Sequence, residues 1–347
     1  MRQVQIPKYG GPEVLRVVTG PDPEPGPGEV RIRVAAAGVN FADISARAGL
    51  YPDAPPAPLV VGYEVSGHVD ALGPEVGGPT TGGPAVGDRV MALTRFGGYA
   101  DVVCVPVNQV APVHDGADLV AAAGIPVTFL TAHIMVNHLG AARPGDTVLI
   151  HSAGGGVGLA ALQLARNAGA TTIGSASASK HERLAERGLD HAIDYHTTDV
   201  EREVMRLTGG RGVDIALDAR GGSSLRSSYR CLAPLGRLFC FGMSSGNAPN
   251  RLAAIRTMPV ALATTPVFHP IALMNANKGV FGINMGHLWD EGDRIGAFLA
   301  ELAGAWEAGA IEPVIDSVFG FAEAARAHEQ LAQARNFGKV LLVPGDG

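Results

Sequence analysis

Thr147-Val148-Leu149-Ile150-His151-Ser152-Ala153-Gly154-Gly155-Gly156-Val157-Gly158 decides the fold. Thr147 to His151 is a short apolar run with the length and β-branching of a buried strand. A turn of small residues follows. From Gly158 to Ala168 the apolar positions Leu159, Leu162, Ala165 and Leu164, Ala168 recur at helical spacing. Ala153, Gly155 and Gly158 therefore take the three positions of a GxGxxG fingerprint in its proper strand-turn-helix setting, with alanine first and Gly156 and Val157 completing the loop. A small first residue allows the tight turn, the second lets backbone approach a pyrophosphate, and the third lets the helix close on the strand. A glycine-rich turn that holds no ligand has the same spacing, so the motif needs its neighbours.

The next strand supplies them. Thr171 to Ser175 reads as a strand and continues as Ser175-Ala176-Ser177-Ala178-Ser179-Lys180. An NAD site places a carboxylate about 20 residues past the glycines to hold the ribose hydroxyls. Here hydroxyls and a cation stand instead, which suits a 2′-phosphate and points to NADPH. Ser177 or Ser179 also fits a helix N-cap, and the two readings are compatible.

Outward from this centre, a helix is expected over 180–187, strands at 192–195, 213–217, 237–241 and 279–283, and a helix over 291–308. Strands alternating with helices imply an α/β fold with a doubly wound parallel Rossmann sheet. The segment before about Ala122 differs. Val30-Arg31-Ile32-Arg33-Val34 alternates as a half-buried strand does, and Pro and Gly punctuate the rest. This part reads as β-rich, with the Gly/Pro stretch around 76–86 as a surface loop.

Composition narrows the function classes. The charged fraction of 17% and net charge of −6 argue against a nucleic-acid surface. The cysteines Cys104, Cys231 and Cys240 show no paired spacing, and the segment Met1 to Pro7 lacks the apolar core of a signal peptide. No membrane span is expected, because the richest apolar stretch, 258–273, is broken by Pro259, Pro266, His269 and Pro270. The cytoplasm is the expected compartment.

Several motifs in order resemble the quinone oxidoreductases and zeta-crystallin of the medium-chain dehydrogenase/reductase family: Gly10-Gly11-Pro12-Glu13-Val14-Leu15, Gly38-Val39-Asn40-Phe41-Ala42-Asp43, Gly49-Leu50-Tyr51, Gly87-Asp88-Arg89-Val90 and Gly97-Gly98-Tyr99-Ala100. The run from Ser175 to Thr198, Phe281 to Leu288 and Gly338 to Pro344 is closer to the synaptic vesicle membrane protein branch. The resemblance implies a β-rich GroES-like catalytic domain over 1–124, a Rossmann NADPH-binding domain over 125–285, and a return to the catalytic domain over 286–347. It also implies a homodimer. By motif position it gives Ser177, Lys180 and Tyr195 to the adenosine-phosphate end of the cofactor, and Phe241, Gly242 and Met243 to the nicotinamide side. Asn284, Asn336, Phe337, Gly338 and Lys339 become further contacts, and Thr128 reaches the cofactor from the helix entering the Rossmann domain. Zinc members of the superfamily carry cysteine where Asn40 stands and histidine where Tyr63 precedes Glu64, so a zinc-free site is expected.

Without zinc as Lewis acid, the chemistry left to this scaffold is hydride donation to an acceptor that is already electrophilic, a quinone or an α,β-unsaturated carbonyl. A small hydrophobic carbonyl or quinone is the expected substrate. Asn40 is one candidate to donate a hydrogen bond to the developing oxyanion, or else a turn residue bonding its own backbone. Tyr51 and Tyr63 are the candidate phenols. Many quinone oxidoreductases have tyrosine where Ser45 stands, which puts their proton route in doubt here. Tyr63 reads first as a core tyrosine with a satisfied hydroxyl. The apolar stretch 265–274 is either a substrate wall or dimer packing. The alternative function is a non-catalytic NADPH-binding protein that acts through protein partners.

Overall fold

The computed structural model describes residues 1–77, 83–244 and 251–345, so the middle of the Gly/Pro stretch, 78–82, lies outside the described residues. The chain divides into two compact units. One comprises Met1–Leu130 and Met285–Gly347; the other comprises Thr131–Ala248 and Leu252–Asn284.

The first unit begins with eight strands: β1 (Arg2–Ile6), β2 (Arg16–Thr19), β3 (Glu29–Val39), β4 (Leu59–Val60), β5 (Glu64–Leu72), β6 (Arg89–Leu93), β7 (Val102–Pro106) and β8 (Val110–Pro112). Helices α1 (Phe41–Arg47), α2 (Leu119–Ala122) and α3 (Pro126–His133) accompany them. The alternation seen at Val30, Ile32 and Val34 extends into an 11-residue strand whose last four residues are all buried. β3 pairs with both β5 and β7, so it is buried on two sides and forms the spine of the unit. Its inward residues Val30, Ile32 and Val34 join Val65, Val69, Val103 and Val105 in one apolar core.

The second unit is a parallel sheet built from β9 (Thr147–His151), β10 (Thr171–Ala176), β11 (His191–Asp194), β12 (Val213–Asp218), β13 (Leu232–Cys240) and β14 (Gly279–Gly282). Its spatial order is β11-β10-β9-β12-β13-β14, the doubly wound order whose switch point lies between β9 and β12. Helices α4 (Gly156–Asn167), α5 (His181–Glu186), α6 (Val200–Leu207), α7 (Ser223–Arg230), α8 (Arg251–Thr264) and α9 (Pro270–Ala276) complete it. Sequence periodicity does not announce α6 and α7. Each is only eight residues, about two turns, so the apolar positions that pack on the sheet (Val200, Val204 and Leu207 in α6, Leu225 and Tyr229 in α7) are too few to set a period. Of the prolines expected to break 258–273, Pro259 sits inside α8, while Pro270 opens α9.

The chain then returns to the first unit with α10 (Gly292–Glu307), β15 (Ile315–Gly320), α11 (Ala324–Ala332) and β16 (Lys339–Val343). β16 pairs antiparallel with the C-terminal end of β3, setting Val340 opposite Val39. A residue at position 339 thereby comes beside residue 40, almost the whole chain away in sequence.

Candidate cofactor and catalytic sites

In the second unit the glycine turn joins β9 to α4. Gly155 is the N-cap of α4, so no side chain covers the first turn of the helix and its amide groups remain open to an anion. The two key glycines are small for different reasons. A Cβ at Gly158 would lie 2.7 Å from the Ala153 carbonyl, so that glycine is demanded by helix-strand packing. A Cβ at Gly155 would meet only the Ser152 carbonyl, at 3.3 Å. Protein packing therefore does little to explain Gly155; what its missing side chain leaves open is space over the backbone. This is the geometry a pyrophosphate needs.

Ser177 and Lys180 lie just beyond the end of β10, where Ser177 is the N-cap of a single 3-10 turn over Ala178–Lys180. The Ser177 side chain makes no cap bond there; its Oγ is 3.3 Å from that of Ser179. Tyr195 follows β11 directly. Phe241, Gly242 and Met243 follow β13 and are zipped onto the end of β12, with the Phe241 amide donating to the Asp218 carbonyl (3.1 Å). Asn284 is exposed just past β14.

Beneath this edge runs a buried polar chain that the sequence did not announce. Asp218, the last residue of β12, accepts from the Arg220 (2.8 Å) and Gly221 (3.0 Å) amides and from the Ser224 (2.8 Å) and Ser228 (2.6 Å) hydroxyls. Because Ser228 spends its proton on Asp218, its oxygen accepts from His151 Nε2 (2.9 Å), which leaves His151 Nδ1 to accept from the Ser175 hydroxyl (2.8 Å). Burial lowers the His151 pKa, in keeping with a neutral ring. The chain ties together the carboxyl ends of β10, β9 and β12.

In the first unit a second cluster forms around Asn40, the N-cap of α1. The Asn40 amide nitrogen donates to Glu64 (2.8 Å) and makes a longer contact with the Gly38 carbonyl (3.4 Å), while its oxygen accepts from the Lys339 ammonium (2.6 Å). Lys339 and Glu64 are a buried ion pair at 2.5 Å, and the second Glu64 oxygen accepts the Val127 amide at 2.7 Å. Gly38 makes room for this: a Cβ there would run into the Glu64 carboxylate. A buried ion pair persists only when its remaining hydrogen-bonding capacity is met, and here Asn40 and Val127 meet it. Asn40 is thus both a helix cap and a ligand of the pair.

Behind Asn40 lies Asp43, fully buried, which accepts from the Asn40 (2.7 Å) and Gly62 (2.9 Å) amides and the Tyr99 hydroxyl (3.0 Å). Burial raises its pKa to about 7 against these three donors and nearby Lys339. Tyr99 in turn accepts from His328 Nε2 (3.2 Å), whose Nδ1 accepts from Arg47 (3.0 Å). Burial and the Arg47 charge push His328 down to about 3.

Tyr63 is 7% exposed and packs between Tyr51 (centroids 6.1 Å, edge-on) and Phe96 (5.2 Å). Its hydroxyl is buried with no hydrogen-bond partner, the one such side-chain atom among the described residues. The expectation of a satisfied core hydroxyl is therefore not met: Phe96 offers no acceptor, and Tyr51 packs edge-on against the ring. Burial first, then Asp43 and Tyr51, raise the Tyr63 pKa well above the usual phenol range. Ser45 bonds its own helix, donating to the Phe41 carbonyl at 3.1 Å. Thr128 does the same, to Gly124 at 2.5 Å. Asn336, Phe337 and Lys339 are buried; Asn336 donates to the Gly338 carbonyl (2.7 Å) and the Phe337 amide to Asp316 (2.7 Å). Their bonds hold the approach to β16 rather than present free donors. Among the described residues no group of three His, Cys, Asp or Glu side chains is gathered as a metal site would be.

Comparison with known proteins gives two family matches, an alcohol dehydrogenase GroES-like domain over residues 26–115 and a zinc-binding dehydrogenase domain over residues 187–342. The chain is 40% identical to the mouse synaptic vesicle membrane protein VAT-1 homolog over 314 residues, 89% of this chain and 75% of that protein. It is 36% identical to a quinone oxidoreductase of Pseudomonas aeruginosa over 345 residues, 99% of each. A mycobacterial protein solved in complex with NADPH superposes with a TM-score of 0.86 at 33% identity, covering 99% of this chain and 100% of that one.

Proposed function

This chain belongs to the medium-chain dehydrogenase/reductase family, and on that premise we propose that it is an NADPH-dependent reductase of quinones or α,β-unsaturated carbonyls. The observation that carries the cofactor is Gly155: an uncapped helix start whose missing side chain opens space that the protein itself does not fill. Ser177 and Lys180 at the neighbouring strand end suit a 2′-phosphate, with Tyr195 beside them. Phe241, Gly242, Met243 and Asn284 follow the ends of β13 and β14, where the second half of a dinucleotide lies in this strand order. Thr128, Asn336, Phe337, Gly338 and Lys339 are proposed to shape the site indirectly, since their polar side chains and backbone are engaged within the first unit.

When bound, the dinucleotide supplies the hydride. The protein's own task is to hold the acceptor and stabilise the oxygen on which negative charge develops. Two donors in the first unit suit that task. The Tyr63 O–H has no partner, and the Asn40 N–H that faces Gly38 is held only by a 3.4 Å contact. Lys339 and Glu64 fix the Asn40 amide so that its nitrogen, not its oxygen, keeps that spare hydrogen. Tyr51 is proposed as an aromatic wall. The raised Tyr63 pKa makes it a hydrogen-bond donor that keeps its proton, so the final proton comes from solvent.

The test is consumption of NADPH with an ortho-quinone and with an alkenal. Saturable turnover of either supports the reading. Tight NADPH binding with no turnover across a broad acceptor panel refutes it, in favour of a cofactor-binding protein that acts through partners.

A homodimer is proposed on the edge of the second unit. Among the described residues β14 pairs only with β13, and just before it in the chain Val267 (95% exposed), Ile271 and Met274 present apolar side chains to solvent. A monomer by light scattering at micromolar concentration refutes this. Among the described residues no helix is long and apolar enough to cross a membrane. The three unpaired cysteines fit a reducing compartment such as the cytoplasm.

A further inference from the structure

Asp43 stands at the third residue of α1, the place from which a carboxylate turns back to the N-cap amide. One oxygen suffices for that role, and an aspartate is rarely buried to play it. Asp43 is fully buried and uses both oxygens. Oδ2 accepts from the Asn40 amide (2.7 Å), while Oδ1 accepts from the Gly62 amide (2.9 Å), 19 residues further along the chain. One rigid carboxylate therefore joins the backbone that carries Asn40 to the backbone that carries Tyr63.

The two segments are fixed on their other sides. Gly62 has a φ of +108°, and a Cβ there would lie 2.7 Å from the Tyr99 amide nitrogen, so only glycine fits. Its carbonyl accepts from the Thr94 hydroxyl (2.7 Å), and the Tyr63 carbonyl accepts from the Thr94 amide (2.8 Å). Just past Tyr63, Glu64 accepts from the Asn40 side chain (2.8 Å). Tyr63 thus sits between two residues that are each tied to the Asn40 segment. Asp43 is steadied from behind. Arg47 donates to His328, His328 to Tyr99, and Tyr99 to Asp43 Oδ2 (3.0 Å). A guanidinium cannot accept, so Arg47 settles the His328 tautomer, and every proton in the row points towards the carboxylate.

Resting on the reductase reading above, we propose that Asp43 is a positioning residue for hydride transfer: by bridging the Asn40 and Gly62 amides it sets the spacing of the Asn40 N–H and the Tyr63 O–H that hold the substrate oxygen. Two donors stabilise an oxyanion together only when both reach it at hydrogen-bond distance, so a shift of about 0.5 Å in either weakens the pair. Asp43 bonds to neither donor group itself; its effect passes through the backbone that carries them.

The experiment is a double-mutant cycle on the purified full-length chain. kcat and KM for an ortho-quinone and the Kd of NADPH are measured for the wild type, Asp43→Asn, Tyr63→Phe and the double variant. The assay runs at about pH 8, above the value of about 7 at which Asp43 ionises. Asparagine keeps the volume but offers one acceptor oxygen and one NH2 group, so one of the two backbone tethers is lost. The bridge predicts that Asp43→Asn lowers kcat about 10- to 100-fold and leaves NADPH affinity within about twofold. With Tyr63 already replaced, the same change costs at least about fivefold less in kcat/KM. Tyr99→Phe keeps both tethers but frees the carboxylate to pivot. Its loss of about 2- to 5-fold in kcat should largely vanish in the Tyr63→Phe background, and it decides the question if Asp43→Asn does not fold. Losses that simply multiply in the double variants overturn the bridge, as does an Asp43→Asn enzyme with wild-type kcat/KM or one impaired only in KM or NADPH binding. Each of these leaves the reductase reading intact. A wild type that turns over no acceptor removes that premise and the bridge with it.

Discussion

Replacing Tyr63 by phenylalanine removes one buried oxygen and keeps the ring that packs against Tyr51 and Phe96. A buried hydroxyl without a partner costs about 1–3 kcal/mol relative to one that is hydrogen-bonded. The ring packing is kept, so that cost is the main change. Tyr63→Phe should therefore stabilise the protein by about 1–2 kcal/mol, the lower part of that range because an ordered water would recover some of the cost. For a domain of this size that is a rise of about 2–8 °C in melting temperature. The same change removes a donor to the substrate oxygen, so kcat/KM for a quinone should fall by about 10- to 100-fold. The assays are calorimetric melting and steady-state kinetics on one preparation. A satisfied structural tyrosine gives the opposite stability change. A variant that is less stable refutes the orphan hydroxyl, and one that is more stable with unchanged kcat/KM refutes its role toward substrate.

Four further outcomes follow from the geometry. Glu64→Ala leaves the Lys339 ammonium buried without its counter-charge and should cost about 3–5 kcal/mol by denaturant titration, whereas Glu64→Leu with Lys339→Met should recover most of it; equal losses in both would contradict the pairing. His328 has a folded pKa pushed below its unfolded value, so its contribution is complete above about pH 6.5 and drains away as pH falls toward about 3. Asp43, raised to about 7, works the other way: its contribution is complete below about pH 4 and is lost as pH rises through 7. Asp43→Asn should therefore flatten the decline in stability between about pH 4 and 7 in denaturant titrations, and an unchanged slope would show that Asp43 is ionised throughout. Lys180→Ala should weaken NADPH about 10-fold and leave NADH within about twofold, read by fluorescence titration; parallel loss of both would remove Lys180 from the phosphate.

The parallel sheet and its ligand edge were legible because they rest on local patterns. A strand, a turn of small residues and a helix are contiguous, and each backbone demand falls on a residue type that announces it. The same holds for the absence of a carboxylate after β10. Helices α6 and α7 were not legible, since each is about two turns long and two or three apolar positions do not establish a period. Pro259 interrupts the apolar run without ending α8: a proline signals a lost hydrogen bond, not the neighbours that tolerate the loss. Tyr63 was read as satisfied because most buried tyrosines are, and only the packing around its oxygen shows otherwise.

The amino-acid sequence by itself determined the class of fold, the glycine turn and the chemistry of the cofactor edge, because those depend on residues within about thirty positions of one another. The tertiary structure alone decided the contents of the polar sites. Lys339 meets Asn40 and Glu64 because β16 pairs with the end of β3, and Arg220 meets Tyr195 because the doubly wound order carries two distant strand ends to one edge. Hydrogen bonds and stacks act over a few ångströms and take no account of sequence separation, so contacts of that kind exist only once the sheets have closed.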